Sequence, residues 1–259
     1  MTFLIKKSIK RGFAMLRALS PSRKNFGGIR IIIYHSIGGK PSDHSIAIRV
    51  PKDNFITQLA DLKKLGYKTI TISEIVKNWP AVYRDGKVLA ITFDDGYRDN
   101  ILEAASALKD NGMKATFFIT TSYIDGKANK RWIDGSQREY MDWKDVAMLV
   151  EMGFEVGSHM VEHIGLIGLS DEQLFYQLSG SRDRIKEMAG FEPKTLSYPY
   201  GKFDKRVIQM AASSGYLAAC SSLPGINKED ADHYILRRTE IDGYDTAGDF
   251  RSKLAGYYD

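Results

Sequence analysis

Three of the five histidines in this 259-residue chain sit among residues that could act together. Asp94 and Asp95 are adjacent and Gly96 follows them. Two neighbouring carboxylates at a buried strand end are costly unless a cation or a proton is shared. Gly96 permits a tight turn that leaves both directed into a cleft. The alternative is a helix N-cap with a solvated neighbour, since Asp is a favoured cap. His159 and His163 are four apart, a spacing that on a helix puts both imidazoles on one face. Joined by a carboxylate, they would form a common site for a divalent ion that keeps open positions. Two ordinary hydrogen-bonded histidines are the alternative. His35, Arg237 and Arg238, and the turn-like stretch Tyr198-Pro199-Tyr200-Gly201 complete the candidates. Cys220 is the single cysteine, so no disulfide within the chain is available, and it reads as a small buried apolar residue.

Nearly all of these residues fall at or just past the end of a predicted strand. Apolar runs predict strands over 29–34, 68–72, 88–93, 115–120, 154–157, 195–198, 216–221 and 235–241. Helices are predicted over 53–65, 73–78, 99–111, 142–152, 170–188 and 204–214, several closed by glycine. Alternation at this spacing predicts an α/β fold, either a parallel barrel or a doubly wound sheet. Seven or eight strands favour a barrel. Reactive groups in such folds gather at the carboxyl ends of the strands. The long connection over 123–141 carries Trp132 and Tyr140, which could stack on a sugar or pack beneath the loop.

Taken together, the motifs resemble those of the NodB-homology polysaccharide deacetylases. Thr92-Phe93-Asp94-Asp95-Gly96 is similar to the first motif of that family. Ser158-His159-Met160-Val161-Glu162-His163 is similar to the second, and Ser197-Tyr198-Pro199-Tyr200-Gly201 to the third. The resemblance implies a deformed (β/α)7-type barrel as a single domain. It implies Asp95, His159 and His163 as ligands of a divalent metal, zinc being typical. Asp94 would then be the general base, taking a proton from the attacking water. Tyr200 would offer its backbone N–H to the oxyanion, with Tyr198 and Pro199 beside it at the substrate.

Two departures stand out. Where many members of the family carry an arginine that orients the base, this chain has Ser197; Arg238 is the expected replacement, with Arg237 second. The late histidine that usually serves as general acid is missing. His35, in Tyr34-His35-Ser36, resembles the N-terminal histidine of a circularly permuted branch that includes poly-N-acetylglucosamine deacetylases, and it would protonate the leaving amine. The implied reaction is removal of N-acetyl groups from a sugar in a polysaccharide or lipid-linked glycan. Hydrolysis of another C–N or ester bond, or glycan binding without catalysis, are the competing expectations.

Charge separates an arm from a body. Residues 1–30 carry eight Lys or Arg and no acidic residue, whereas the rest is mildly acidic despite a net charge of +5. No nucleic-acid partner is expected from such a body. Residues 1–28 are read as a basic amphipathic helix preceding a domain over 29–259, and residues 1–20 could lie on an anionic membrane surface. The apolar residues there are too interrupted for a convincing signal peptide or a membrane span. The expected location is cytoplasmic or peripheral to a membrane.

Overall fold

Two runs, RIIIY and VLAITF, are apolar without alternation, the pattern of parallel strands covered on both faces. They form β1 (Arg30–Tyr34) and β5 (Val88–Phe93), and every residue of both is buried. The structure, a computed structural model, describes Gly12 and residues 27–38, 47–127 and 139–258. The arm expected over 1–28 therefore lies almost wholly outside the described residues, as does Trp132.

The other strands are β2 (Ser36–Ile37), β3 (Arg49–Val50), β4 (Lys68–Thr69), β6 (Thr116–Ile119), β7 (Glu155–Ser158), β8 (Thr195–Ser197), β9 (Ala218–Cys220) and β10 (Thr239–Glu240). The main sheet runs β10-β1-β5-β6-β7-β8-β9, all parallel, with β4 beside the start of β5. Its two ends meet. Cys220 of β9 bridges Leu236 in parallel, and Thr239, three residues on, pairs with Ile32 of β1. The segment 236–240 thus closes the sheet into the deformed barrel that the motifs implied.

Strand alternation decides what each face carries. Tyr34, Phe93 and Phe117 lie in register on three adjacent strands and stack, with ring centroids 5.5 and 4.7 Å apart. Phe55, from the helix Lys52–Lys64, packs edge-on against Tyr34. Each aromatic pair contributes about 0.5–1.5 kcal/mol beyond its buried area. At the amino end of the barrel, Glu155 accepts hydrogen bonds from Ser73, Thr116 and Thr195 and ties three elements together.

Several elements differ from expectation. The helix predicted over 99–111 opens with a widened π turn, Asn100–Ala105, before Ser106–Asp110. The one predicted over 170–188 has a similar turn, Tyr176–Gly180, in its middle. The helix Trp79–Asp85 was not anticipated, because it is short and carries a proline in its first turn. The strand predicted over 235–241 shrinks to two residues after a 3-10 turn at His233–Ile235. Among the described residues no helix is long and apolar enough to cross a membrane.

Candidate active site

Three loops at the carboxyl ends of β5, β7 and β8 supply the site, and each is bent by one residue in a left-handed conformation. These are Asp95 (φ 75°), Met160 (φ 68°) and Tyr200 (φ 59°), the non-glycine residues with positive φ among the described ones. Such a conformation costs about 1–3 kcal/mol and persists only where the surroundings enforce it. The site thus stores strain in every loop that builds it.

The bends bring three groups together. Asp95 Oδ1 lies 3.4 Å from His159 Nε2 and 3.4 Å from His163 Nε2. One ligand atom from each of the three residues falls within 4.8 Å of the others. The imidazoles are not aligned by a helix: residues 159–163 are irregular, and the turn at Met160 does that work. Met160 itself is buried, packed with Leu166, Leu174 and Tyr198. His159 donates from Nδ1 to the Ser197 carbonyl at 2.7 Å, which leaves Nε2 facing Asp95. A buried imidazole held this way has its orientation fixed from behind, as metal-binding histidines generally do. Asp95 Oδ1 is buried and has no hydrogen-bond partner. An orphaned carboxylate oxygen between two imidazole nitrogens is the donor set a divalent cation requires, so these residues fit the expected metal.

Asp94 stands beside this cluster and is held by different partners. Arg238 forks it, Nη1 to Oδ1 and Nη2 to Oδ2, both at 2.8 Å. Ser197 donates to Oδ2, also at 2.8 Å. Three of the roughly four lone-pair positions of the carboxylate are thereby filled and one is left. Arg238 is fixed in turn through Nε to the Ser221 carbonyl and Nη1 to Thr92 Oγ1. Arg237 points elsewhere, to the Pro224 carbonyl. Ser197, at the position where an arginine was missed, shares Arg238 with Asp94 by accepting from Nη2.

The electrostatics follow from these contacts. Burial opposes charge on Asp94, but Arg238 outweighs it, with help from His159, and holds the carboxyl below its usual range. Asp95 is lowered as well, since three imidazoles overcome its desolvation. Burial works against a proton on His159, yet Asp94 and Asp95 raise its pKa. His163 is pushed down by burial and by His159.

The cleft above these groups is about 360 Å3, within the size range of small-ligand sites. His35 lines it together with Asp94, Asp95, His159, His163 and Tyr200. The strands explain this: Asp94 donates its backbone N–H to the Tyr34 carbonyl, so the residue after Tyr34 lies beside Asp94. Tyr200 is exposed on the rim and packs edge-on against His163, 4.5 Å between centroids. Tyr198 and Pro199 were expected at the substrate; both are buried, and Tyr198 lies fully within the core under the loop. Tyr97, Tyr123 and Tyr140 form one aromatic wall of the cleft. Of these only Tyr140 was anticipated, although Tyr97 and Tyr123 carry the same signal as the catalytic candidates, a position just past a strand end.

Comparisons with known proteins agree with this geometry. A family model described as polysaccharide deacetylase matches residues 81–219. The YxkH protein of Bacillus subtilis is 29% identical over 212 residues, 82% of this chain and 70% of that protein. Peptidoglycan-N-acetylglucosamine deacetylase PgdA of Listeria monocytogenes is 24% identical over 69% of this chain, and the chain spans 34% of its length. Among solved structures, the deacetylase PplD of Streptococcus pyogenes superimposes with a TM-score of 0.76 at 21% identity, covering 88% of this chain and 98% of that one. IcaB from Ammonifex degensii gives 0.72 at 20% identity, covering 90% and 97%.

Proposed function

The chain belongs to the polysaccharide deacetylase family, hydrolases of acylated glycans that depend on a divalent metal, and we propose that it removes N-acetyl groups from a sugar of a polysaccharide or lipid-linked glycan. One observation carries this reading: an orphaned Asp95 oxygen between two imidazoles, beside a second carboxylate engaged elsewhere.

Asp95, His159 and His163 would hold the ion, and zinc suits two imidazoles and a carboxylate. Once bound, such an ion supplies Lewis acidity to the water and to the acetyl carbonyl. Asp94 takes the proton of the attacking water. Arg238 and Ser197 keep it ionised and leave it one lone pair for that purpose. The Tyr200 N–H is assigned to the developing oxyanion. His35 gives a proton to the departing nitrogen as the C–N bond breaks. Acetic acid and a free amine form, the acid then giving its proton to the amine, and the proton gained by Asp94 balances the one lost by His35. The tyrosine wall suits a sugar, which presents flat apolar faces to aromatic rings.

The basic residues within 1–20 support a peripheral place at an anionic membrane surface, where a lipid-linked acceptor would be met. Mass spectrometry of N-acetylated oligosaccharides incubated with the protein tests the function. A loss of mass equal to acetyl, abolished by a chelator and restored by zinc, is expected. Unchanged glycans at every metal tried would refute the reading.

A further inference from the structure

The ring of His35, unlike that of His159, is not anchored through its Nδ1. His159 is fixed through its Nδ1 and Asp94 through three hydrogen bonds. The His35 Nδ1 is buried and has no hydrogen-bond partner. Its ring must therefore be aimed by the backbone that carries it.

That backbone is gripped from both sides. On one side β3 pairs with β2, and the N–H groups of Ser36 and Gly38 reach Ile48 and Val50 at 3.0 and 2.7 Å. On the other side two consecutive residues, Asp99 and Asn100, hold the same four-residue stretch. Asn100 Nδ2 donates to the His35 carbonyl at 2.7 Å. Asp99 Oδ1 accepts the Ile37 N–H at 3.1 Å, and its Oδ2 accepts the Ser36 hydroxyl. Asn100 Nδ2 also braces Asp99 Oδ1 at 3.0 Å. Asn100 is fully buried. It opens the π turn Asn100–Ala105, a widened turn of a kind often found at functional sites. Four residues separate Asn100 from Asp95, so one short connection runs from the metal-ligand loop to the loop of the acid.

We propose that Asp99 and Asn100 are positioning residues for His35, setting the distance between the proton donor and the Asp94–Asp95 pair. This rests on the reading of His35 as the acid. The geometry favours the role because misplacing a reacting group by about 1 Å can cost on the order of 10²-fold in rate.

The test is a double-mutant cycle on the full chain loaded with metal, using an N-acetylated oligosaccharide and an aryl acetate. Asn100→Ala and Asp99→Ala are each expected to lower kcat on the sugar about 10–100-fold, with KM changed less than about threefold. Asp99→Asn, which keeps one acceptor, should recover part of the loss. In a His35→Ala background the same changes should add little. On the aryl acetate, whose phenolate departs without a proton, both single variants should stay near the wild type. Bound metal and melting temperature certify that each variant is folded. A full additional loss for Asn100→Ala in the His35→Ala background would overturn the positioning role while leaving His35 as the acid. Wild-type activity of His35→Ala on the sugar would instead remove the acid assignment, and this proposal with it.

Discussion

Arg238 and Asp94 are 144 residues apart in sequence, yet both terminal guanidinium nitrogens meet both carboxylate oxygens at 2.8 Å. A bidentate pair of this kind fixes direction as well as charge. Arg238→Met should raise the Asp94 pKa, because the cation that outweighs its burial is gone. The acid limb of kcat/KM, held low in the wild type, should move up in pH. A profile with an unmoved limb would contradict the pairing. The variant should also lose about 3–5 kcal/mol of stability, the usual result of leaving one buried charge unpaired.

Asp94→Asn keeps the shape of the side chain and removes the base. Turnover should fall about 10²–10⁴-fold. Metal content, measured by elemental analysis, should stay at the wild-type value, since Asp94 is not among the proposed ligands. Loss of metal together with activity would show that the two carboxylates have been assigned the wrong way round.

Metal binding should release a proton. The carboxylates beside His159 raise its pKa, so a proton competes with the cation for Nε2. Affinity should therefore weaken as pH falls. Calorimetry in two buffers of different ionisation enthalpy reads the proton directly. Chelation should lower the melting temperature, because an ion at 100 times its dissociation constant stabilises the folded state by about 2.7 kcal/mol.

Asp99 offers a test through stability alone. Burial pushes its pKa up to about 6, against the Ser36 hydroxyl and the Ile37 N–H. A carboxyl raised in the folded state stabilises fully below its unfolded pKa, and that contribution is lost as pH climbs through about 6. Relative to wild type, Asp99→Asn should gain about 2 kcal/mol between pH 4 and pH 7. Parallel denaturation curves at the two pH values would reject this.

Gly201 closes the turn behind Tyr200 at φ 64°, and an added Cβ would sit 2.4 Å from Ser222 Cβ and backbone N. Gly201→Ala should displace Tyr200 and reduce turnover at least about tenfold, with a stability loss of roughly 1–3 kcal/mol. Near-normal kinetics would argue against a part for the Tyr200 N–H.

Much of the fold was readable because its strands are uniform apolar runs; the one expected over 88–93 has the observed bounds. The candidate residues were legible for a related reason: Asp and His just past such runs have little structural cause to be there. Their convergence was harder to read. The turn at Met160 is made by a residue whose type gives no hint of a left-handed backbone, so the four-residue spacing of His159 and His163 left the conformation between them open. Tyr198 was misplaced although period-2 alternation could have placed it. Leu196 and Tyr198 share the core face, whereas Ser197 between them turns to Asp94. The same logic separates Arg238 from Arg237, but only once one of them is known to face inward. The grip of Asp99 and Asn100 on the His35 loop had no sequence signal, because it is made mostly to backbone groups.

The barrel is zipped shut by the short segment 236–240, and Arg238 lies within it. Opening of that seam would withdraw the partner of Asp94 before the rest of the sheet came apart. Heating or mild denaturant should then silence the enzyme at a lower dose than the one that melts its helices, and amide exchange at Arg238 and Thr239 should track the silenced fraction.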